Sequence, residues 1–128
     1  MIIDKNWLGY IWGFIGEGNK VESIVLKDMN DISNVKILVD EYLIPFYDNL
    51  PELVRIRLKL LWKYSINNFP NTVLEHELSN LLPPFNVPVD IRNFYRSAWI
   101  LLFPRESHEI LDSENIILTD NRFSTPWD

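Results

Sequence analysis

The stretch LVRIRLKLLWKYSIN, residues 53–67, decides the fold class of this chain. Its apolar side chains recur every three or four residues, which is the spacing of one face of an α-helix. Pro51 suits the first turn of that helix, where no N–H donor is needed, and Asp48 or Asn49 can cap it. The predicted inward face consists of Leu53, Ile56, Leu60 and Tyr64, with Val54, Leu58 and Leu61 beside them.

Proline divides the rest of the chain into stretches that also have helical spacing. Arg105–Leu111 is a candidate for a short helix near the C-terminus. The other predicted helices are one capped by Ser33 and ended or kinked by Pro45, one that begins in a Thr72–Glu75 capping box and stops at Pro83, and one between Pro88 and Pro104.

The aromatic stretch WLGYIWGFIGEG, Trp7–Gly18, fits either of two structures. A helix collects its large side chains on one side, whereas a strand would turn at its glycines and return over Val21–Lys27. We expect the helix, because the rest of the chain is helical and a lone hairpin is only marginally stable. Asn115–Thr119 (NIILT) has β character, and Asn121–Asp128 is expected to be an extended tail.

Together these stretches predict a mainly α fold in a single domain over residues 1–128. We expect a compact bundle of about five or six helices, with room for a short N-terminal or C-terminal β-hairpin. The chain has no cysteine, which excludes disulfides, thiolate catalysis and cysteine-ligated zinc.

The net charge of −6, from 18 acids and 12 bases, favours basic protein partners. It repels nucleic acid and anionic membranes. The apolar run Trp7–Gly16 has ten residues, half of the roughly 20 that a spanning helix needs. Asp4 lies beside Lys5, so the N-terminus lacks the positive region of a signal peptide. We therefore expect a cytoplasmic protein with no membrane and no nucleic-acid partner.

The chain offers no residue set typical of catalysis or metal binding. His76 lies between Glu75 and Glu77, but successive residues of a helix point in different directions. The glycines of residues 13–18 follow the reverse order of a dinucleotide-binding loop. We predict no catalytic residue, no metal site, no cofactor and no enzymatic activity. A deep pocket in which His76 or His108 met carboxylates would favour an enzyme instead.

Charge is polarised along the chain. The predicted helix over residues 53–67 carries Arg55, Arg57, Lys59 and Lys63, which we expect to pair with acids of neighbouring helices or extend into solvent. Residues 106–128 carry six acids and one base, and acids beside aromatic anchors are typical of a surface that binds a basic protein. The predicted partner-binding residues are Glu106, Glu109, Asp112, Glu114, Asp120, Phe123 and Trp127.

The chain is small, acidic and cysteine-free, and it carries no catalytic motif. In this overall character it resembles the immunity proteins of bacterial toxin systems. Such systems include contact-dependent growth inhibition and nuclease bacteriocins. The resemblance is one of overall character and assigns no residues. It implies a monomer or weak dimer that binds and occludes a cognate toxin domain with a basic surface, where acids mimic phosphate charge. The alternative is a regulatory or adaptor domain that docks through the basic helix Arg55–Lys63.

Overall fold

The computed structural model describes residues 1–15, 21–111 and 114–128. Within these residues, five α-helices share one hydrophobic core and two short strands form a sheet, which confirms the mainly α prediction. The elements in chain order are β1 (Ile2–Asp4), a 3-10 helix (Lys5–Ile15), a short 3-10 helix (Glu22–Ile24), α1 (Ile32–Leu38), a π-helical turn (Val39–Leu43), α2 (Ile44–Asp48), α3 (Glu52–Asn68), α4 (Asn71–Ser79), α5 (Ile91–Leu102) and β2 (Ile117–Thr119).

Helix α3 packs on the core with a different apolar stripe from the one predicted. Leu53 and Ile56, assigned to the inward face, are 49% and 42% exposed. Trp62 sets the orientation, because its ring packs edge-to-face on Trp12 at 5.5 Å and on Trp99 at 5.8 Å. An indole buries more area than any competing aliphatic side chain. The buried stripe consists of Val54, Leu58, Leu61, Trp62 and Ile66.

The N-terminal aromatic stretch is helical rather than a hairpin, although as a 3-10 helix interrupted at Trp12 (φ −104°, ψ 18°). Trp7, Leu8, Ile11, Trp12 and Ile15 enter the core, and Trp12 is fully buried, whereas Tyr10 is exposed. A Cβ on Gly9 would lie 3.3 Å from Oε2 of Glu77, so this glycine permits the close approach of α4. Gly16–Lys20, where the hairpin would have turned, lie outside the described residues.

The helices begin at other caps than those predicted. Asp31, not Ser33, caps α1, and its carboxylate accepts hydrogen bonds from the Ser33 backbone N and hydroxyl. Helix α4 begins at Asn71 after Pro70, so Thr72 lies inside the first turn and forms no capping box. Pro51, rather than Asp48 or Asn49, likewise occupies the N-cap of α3. An N-cap proline loses nothing, because the first turn leaves its donors unpaired.

Two further predictions concerned helix ends. Of the two alternatives for Pro45, an end or a kink, the structure excludes the end of the helical path. The π-helical turn brings the backbone N of Ile44 to the carbonyl of Val39, and α2 then continues through Pro45. Arg105–Leu111 forms no helix. A backbone carbonyl of this stretch accepts a side-chain hydrogen bond instead, because Trp99 Nε1 donates to the Glu106 carbonyl at 2.9 Å.

The two ends of the chain meet in a parallel sheet. β2 confirms the β character of NIILT, but it pairs with β1 in the register Ile2↔Ile117 and Asp4↔Thr119. Within residues 1–15, 21–111 and 114–128, the strands form no hairpin at either end. The predicted tail after β2 is therefore attached to the body of the protein at its start.

Asp4 is the buried polar group that ties these ends together. Its carboxylate accepts hydrogen bonds from the Thr119 hydroxyl and the Asn121 backbone N, both at 2.7 Å. It also accepts from the backbone N and side-chain Nδ2 of Asn6, at 2.9 and 2.8 Å. Burial alone would raise the pKa of Asp4, but these hydrogen bonds outweigh it and hold that pKa below its usual range.

The variant Asp4→Asn tests this attachment. The NH2 group of the new asparagine would face groups that donate to Asp4, such as the Asn121 backbone N–H. We therefore expect a loss of about 1–3 kcal/mol in the free energy of unfolding at pH 7, measured by urea denaturation. Because ionised Asp4 has a lowered pKa, its stabilisation is complete above about pH 4 and is lost as the pH falls further. The difference from the wild type should therefore shrink at pH 3. The exposed Glu41→Gln is the control, and equal stability of the Asp4 variant and wild type at pH 7 would contradict the account.

Candidate functional site

The predicted acidic patch is largely paired with cations of the same chain. Lys59 Nζ lies 2.5 Å from Glu106 and Lys63 Nζ lies 2.7 Å from Glu114. Asp120 pairs with Lys5 at 3.1 Å and accepts from Asn6 Nδ2 at 2.9 Å. Three of the five acids assigned to a partner therefore hold the C-terminal segment, residues 104–128, on the body of the protein.

The basic stripe of α3 is occupied by the same segment. Arg57 donates to the backbone carbonyls of Pro126 and Asp128 at 2.8 and 2.7 Å, and its guanidinium lies 5.6 Å from the Trp7 ring centroid. The expected pairing is confirmed for Lys59 and Lys63, although their partners lie in the C-terminal segment rather than on neighbouring helices. The two charged poles seen in the sequence face each other in the structure.

The Lys63–Glu114 pair is the least exposed of these contacts. The Lys63 and Glu114 side chains are only 13% and 25% exposed. The hydrogen bond from Lys63 lowers the pKa of Glu114 against the opposing effect of burial, and the Leu111 backbone N adds a second hydrogen bond at 3.0 Å. This pair is therefore less screened by water and salt than an exposed ion pair.

Glu109 and Asp112 are the two other acids that the sequence predicts to contact a partner. Glu109 is exposed and forms no ion pair within residues 1–15, 21–111 and 114–128. Asp112 lies outside the described residues. Among the predicted partner-binding acids that the structure describes, Glu109 is therefore the one whose carboxylate forms no ion pair within the chain.

The predicted aromatic anchors are exposed at the end of the C-terminal segment. Phe123 is 80% and Trp127 50% exposed. Trp127 packs edge-to-face on Tyr10 at 5.6 Å, and the Arg122 guanidinium lies 5.1 Å from the Phe123 ring centroid. We name Tyr10, Phe123 and Trp127 the aromatic face.

The turn that carries the aromatic face is held on both sides. Trp7 Nε1 donates to the Ser124 hydroxyl at 3.1 Å, and the Phe123 backbone N donates to Asn121 Oδ1. Tyr10 was not assigned to a site from the sequence. The available signal was its position, because it is the exposed aromatic between the buried Trp7 and Ile11. Hydrogen bonds therefore fix the backbone of the turn on which the Phe123 ring is exposed to solvent.

His76, which has a glutamate on each side in the sequence, lies on α4 at the edge of a cleft. His76 and Glu77 line one cleft with Lys5 and Thr72, where burial raises the pKa of Glu77. Within that part of the chain, Thr72 receives no hydrogen bond from either side chain, and His76 Nε2 lies 3.0 Å from Asn80 instead. No group of three or more His, Cys, Asp or Glu side chains within residues 1–15, 21–111 and 114–128 is placed to hold a metal.

Comparison with protein-family models, curated proteins and solved structures found no match for this chain. Across the described ranges, no helix has the length and apolar character needed to cross a membrane. The candidate site is the aromatic face together with the acidic segment that carries most of it.

The partly buried ion pair allows a double-mutant test of how the segment is attached. For Lys63→Met and Glu114→Gln we expect a coupling of about 1 kcal/mol or more in the free energy of unfolding. The control pair Lys36 and Asp40, at 2.6 Å but well exposed on α1 and the following turn, should couple by only about 0.3–0.5 kcal/mol. Urea denaturation of both cycles measures the two values. Equal coupling in the two cycles would mean that the segment is not held by this pair.

Proposed function

We propose that this chain is a cytoplasmic immunity protein that binds and occludes a cognate, basic, nuclease-type toxin domain, as its resemblance to toxin-immunity proteins implies. The observation that carries the proposal is the 80% exposure of Phe123 on a turn that hydrogen bonds hold in place. Aromatic side chains that fill pockets of a partner dominate the energy of protein interfaces. A pre-positioned ring also loses little conformational freedom on binding.

The acids and the aromatics have different tasks in this proposal. Ion pairs within the chain leave the net charge at −6, so the whole molecule still attracts a basic domain and speeds its encounter. Glu109 contributes its free carboxylate directly. Phe123 and Trp127 then slow dissociation by burying their rings. The toxin is inhibited because its substrate-binding surface is covered, with no reaction catalysed by this chain.

The alternative of an adaptor domain that docks through Arg55–Lys63 lacks a supporting observation. Arg57, Lys59 and Lys63 are engaged by the C-terminal segment. An acidic partner would have to displace that segment before it could reach α3. The aromatic face needs no such rearrangement.

A growth assay tests the proposed function. The toxin domain encoded directly upstream of this gene is expressed in a bacterial host with and without the chain. We expect growth arrest with the domain alone and rescue by the chain, with both proteins recovered as one complex on size exclusion. Growth arrest in the presence of the chain, or an upstream gene for a metabolic enzyme, would contradict the proposal.

Alanine variants of the aromatic face test the mechanism of binding. Phe123→Ala and Trp127→Ala should each weaken binding to that toxin domain by about tenfold or more. The melting temperature of Phe123→Ala should stay close to that of the wild type, because an exposed side chain contributes within about 0.5 kcal/mol. Trp127→Ala also loses the edge-to-face contact with Tyr10, which should lower the free energy of unfolding by about 0.5–1.5 kcal/mol. Ile100→Ala, which removes an exposed aliphatic side chain from α5, is the matched control. Binding of the Phe123 and Trp127 variants with wild-type affinity would exclude the aromatic face as the contact surface.

A further inference from the structure

A second exposed apolar surface lies on two loops outside the C-terminal segment. One loop follows the short 3-10 helix Glu22–Ile24, and the other connects α4 to α5. Leu26 is 89% and Val89 is 87% exposed, which leaves two aliphatic side chains almost wholly in water. We name the exposed aliphatic residues of these loops, together with Ile32 at the start of α1, the aliphatic end: Val25, Leu26, Ile32, Leu82 and Val89.

Hydrogen bonds join the two loops into one surface. The Leu26 backbone N donates to the carbonyl of Pro84 at 3.0 Å. The Val89 backbone N donates to Asn30 Oδ1, also at 3.0 Å. These contacts connect each loop to the other at two separate points, so the aliphatic side chains are held on a common base.

Leu26 and Leu82 also occupy an unfavourable backbone conformation. Their φ angles are 60° and 50°, and they are the non-glycine residues with positive φ in the part of the chain that is described. Each follows the end of a helix, where glycine or asparagine is the usual residue. For a leucine this conformation costs about 1–2 kcal/mol. Neither side chain gains burial in return, so folding alone does not explain a leucine at these positions.

The charges around the aliphatic end are predominantly negative. The exposed acids Asp28, Asp31 and Asp90 accept hydrogen bonds from nearby N–H groups, and none forms an ion pair among the residues described. Glu22 is a fourth exposed acid, and Lys27 is the one base within residues 21–31 and 80–90, which form the two loops and their ends. A second copy of this acidic chain would be repelled here, whereas basic side chains around an apolar centre would be attracted.

We propose that the aliphatic end is a docking surface for a protein partner with exposed aliphatic side chains ringed by lysine or arginine. Docking would bury Leu26 and Leu82, which supplies the apolar gain that offsets their strained backbone. The acids would pair with the basic rim and set the orientation. This surface shares no residue with the aromatic face and does not depend on the proposed function.

The experiment uses a fluorescent amphipathic helix of leucine and lysine as the probe, and a leucine–glutamate helix of the same pattern as its charge control. The test variant is Leu26→Asn combined with Leu82→Asn. Ile100→Gln, about 13 Å along α5 from its first residue Ile91, is the control for removing an exposed aliphatic side chain. Fluorescence anisotropy measures the Kd, and urea denaturation measures stability.

We expect the double variant to bind the leucine–lysine helix at least about tenfold more weakly, while its stability rises because asparagine tolerates positive φ. Ile100→Gln and Phe123→Ala should bind the probe as the wild type does. Unchanged affinity in the double variant, equal affinity for the leucine–glutamate helix, or no binding by the wild type would overturn the proposal. So would a dimer in ultracentrifugation, or binding to phosphatidylglycerol vesicles, that the double variant abolishes.

Discussion

The placement of the C-terminal segment begins with the burial of one carboxylate, that of Asp4. A charged group removed from water must be fully hydrogen-bonded, and Asp4 finds its donors at both ends of the chain. This requirement fixes the register of β2 on β1 and begins the attachment of the C-terminal segment. The contacts of Arg57, Lys59 and Lys63 on α3 then continue it. The turn that presents Phe123 owes its position to this sequence of contacts.

The acids of the C-terminal segment act first within the molecule. Glu106 and Glu114 form ion pairs with lysines of α3, and Asp120 forms one with Lys5. These pairs hold the C-terminal segment against the helices. The aromatic side chains that follow are left in water by the same arrangement. The structure thus separates two roles that the sequence joins in one patch. Carboxylates hold the segment and supply the long-range charge, while aromatic rings supply the contact area that our proposal assigns to a partner.

Residue spacing and proline positions in the sequence predicted those helices whose limits depend on interactions between near neighbours. The helical spacing and prolines placed α3 and α5 well, because amphipathic spacing and the missing proline N–H act within a few residues. The inward stripe of α3 was displaced to one side of the predicted one: Leu53 and Ile56 are exposed, because Trp62 packs on Trp12 and Trp99 from distant parts of the chain. The parallel pairing of the ends and the ion pairs of Glu106 and Glu114 depend on contacts between distant segments, so residue spacing could not show them. Phe123 and Trp127 were predicted to contact a partner because they are aromatic residues close to acids in the sequence, and both are exposed in the structure.

Amide hydrogen exchange tests most directly whether buried Asp4 holds the C-terminal segment. The Ile117 and Asn121 amides donate to the Met1 carbonyl and to Asp4 Oδ2, so we expect both to be protected in the wild type. In Asp4→Asn, their protection should fall while the amides of α3 remain protected. Exchange of Ile117 and Asn121 at the rate of an unstructured peptide in the wild type, or unchanged protection in the variant, would contradict the account.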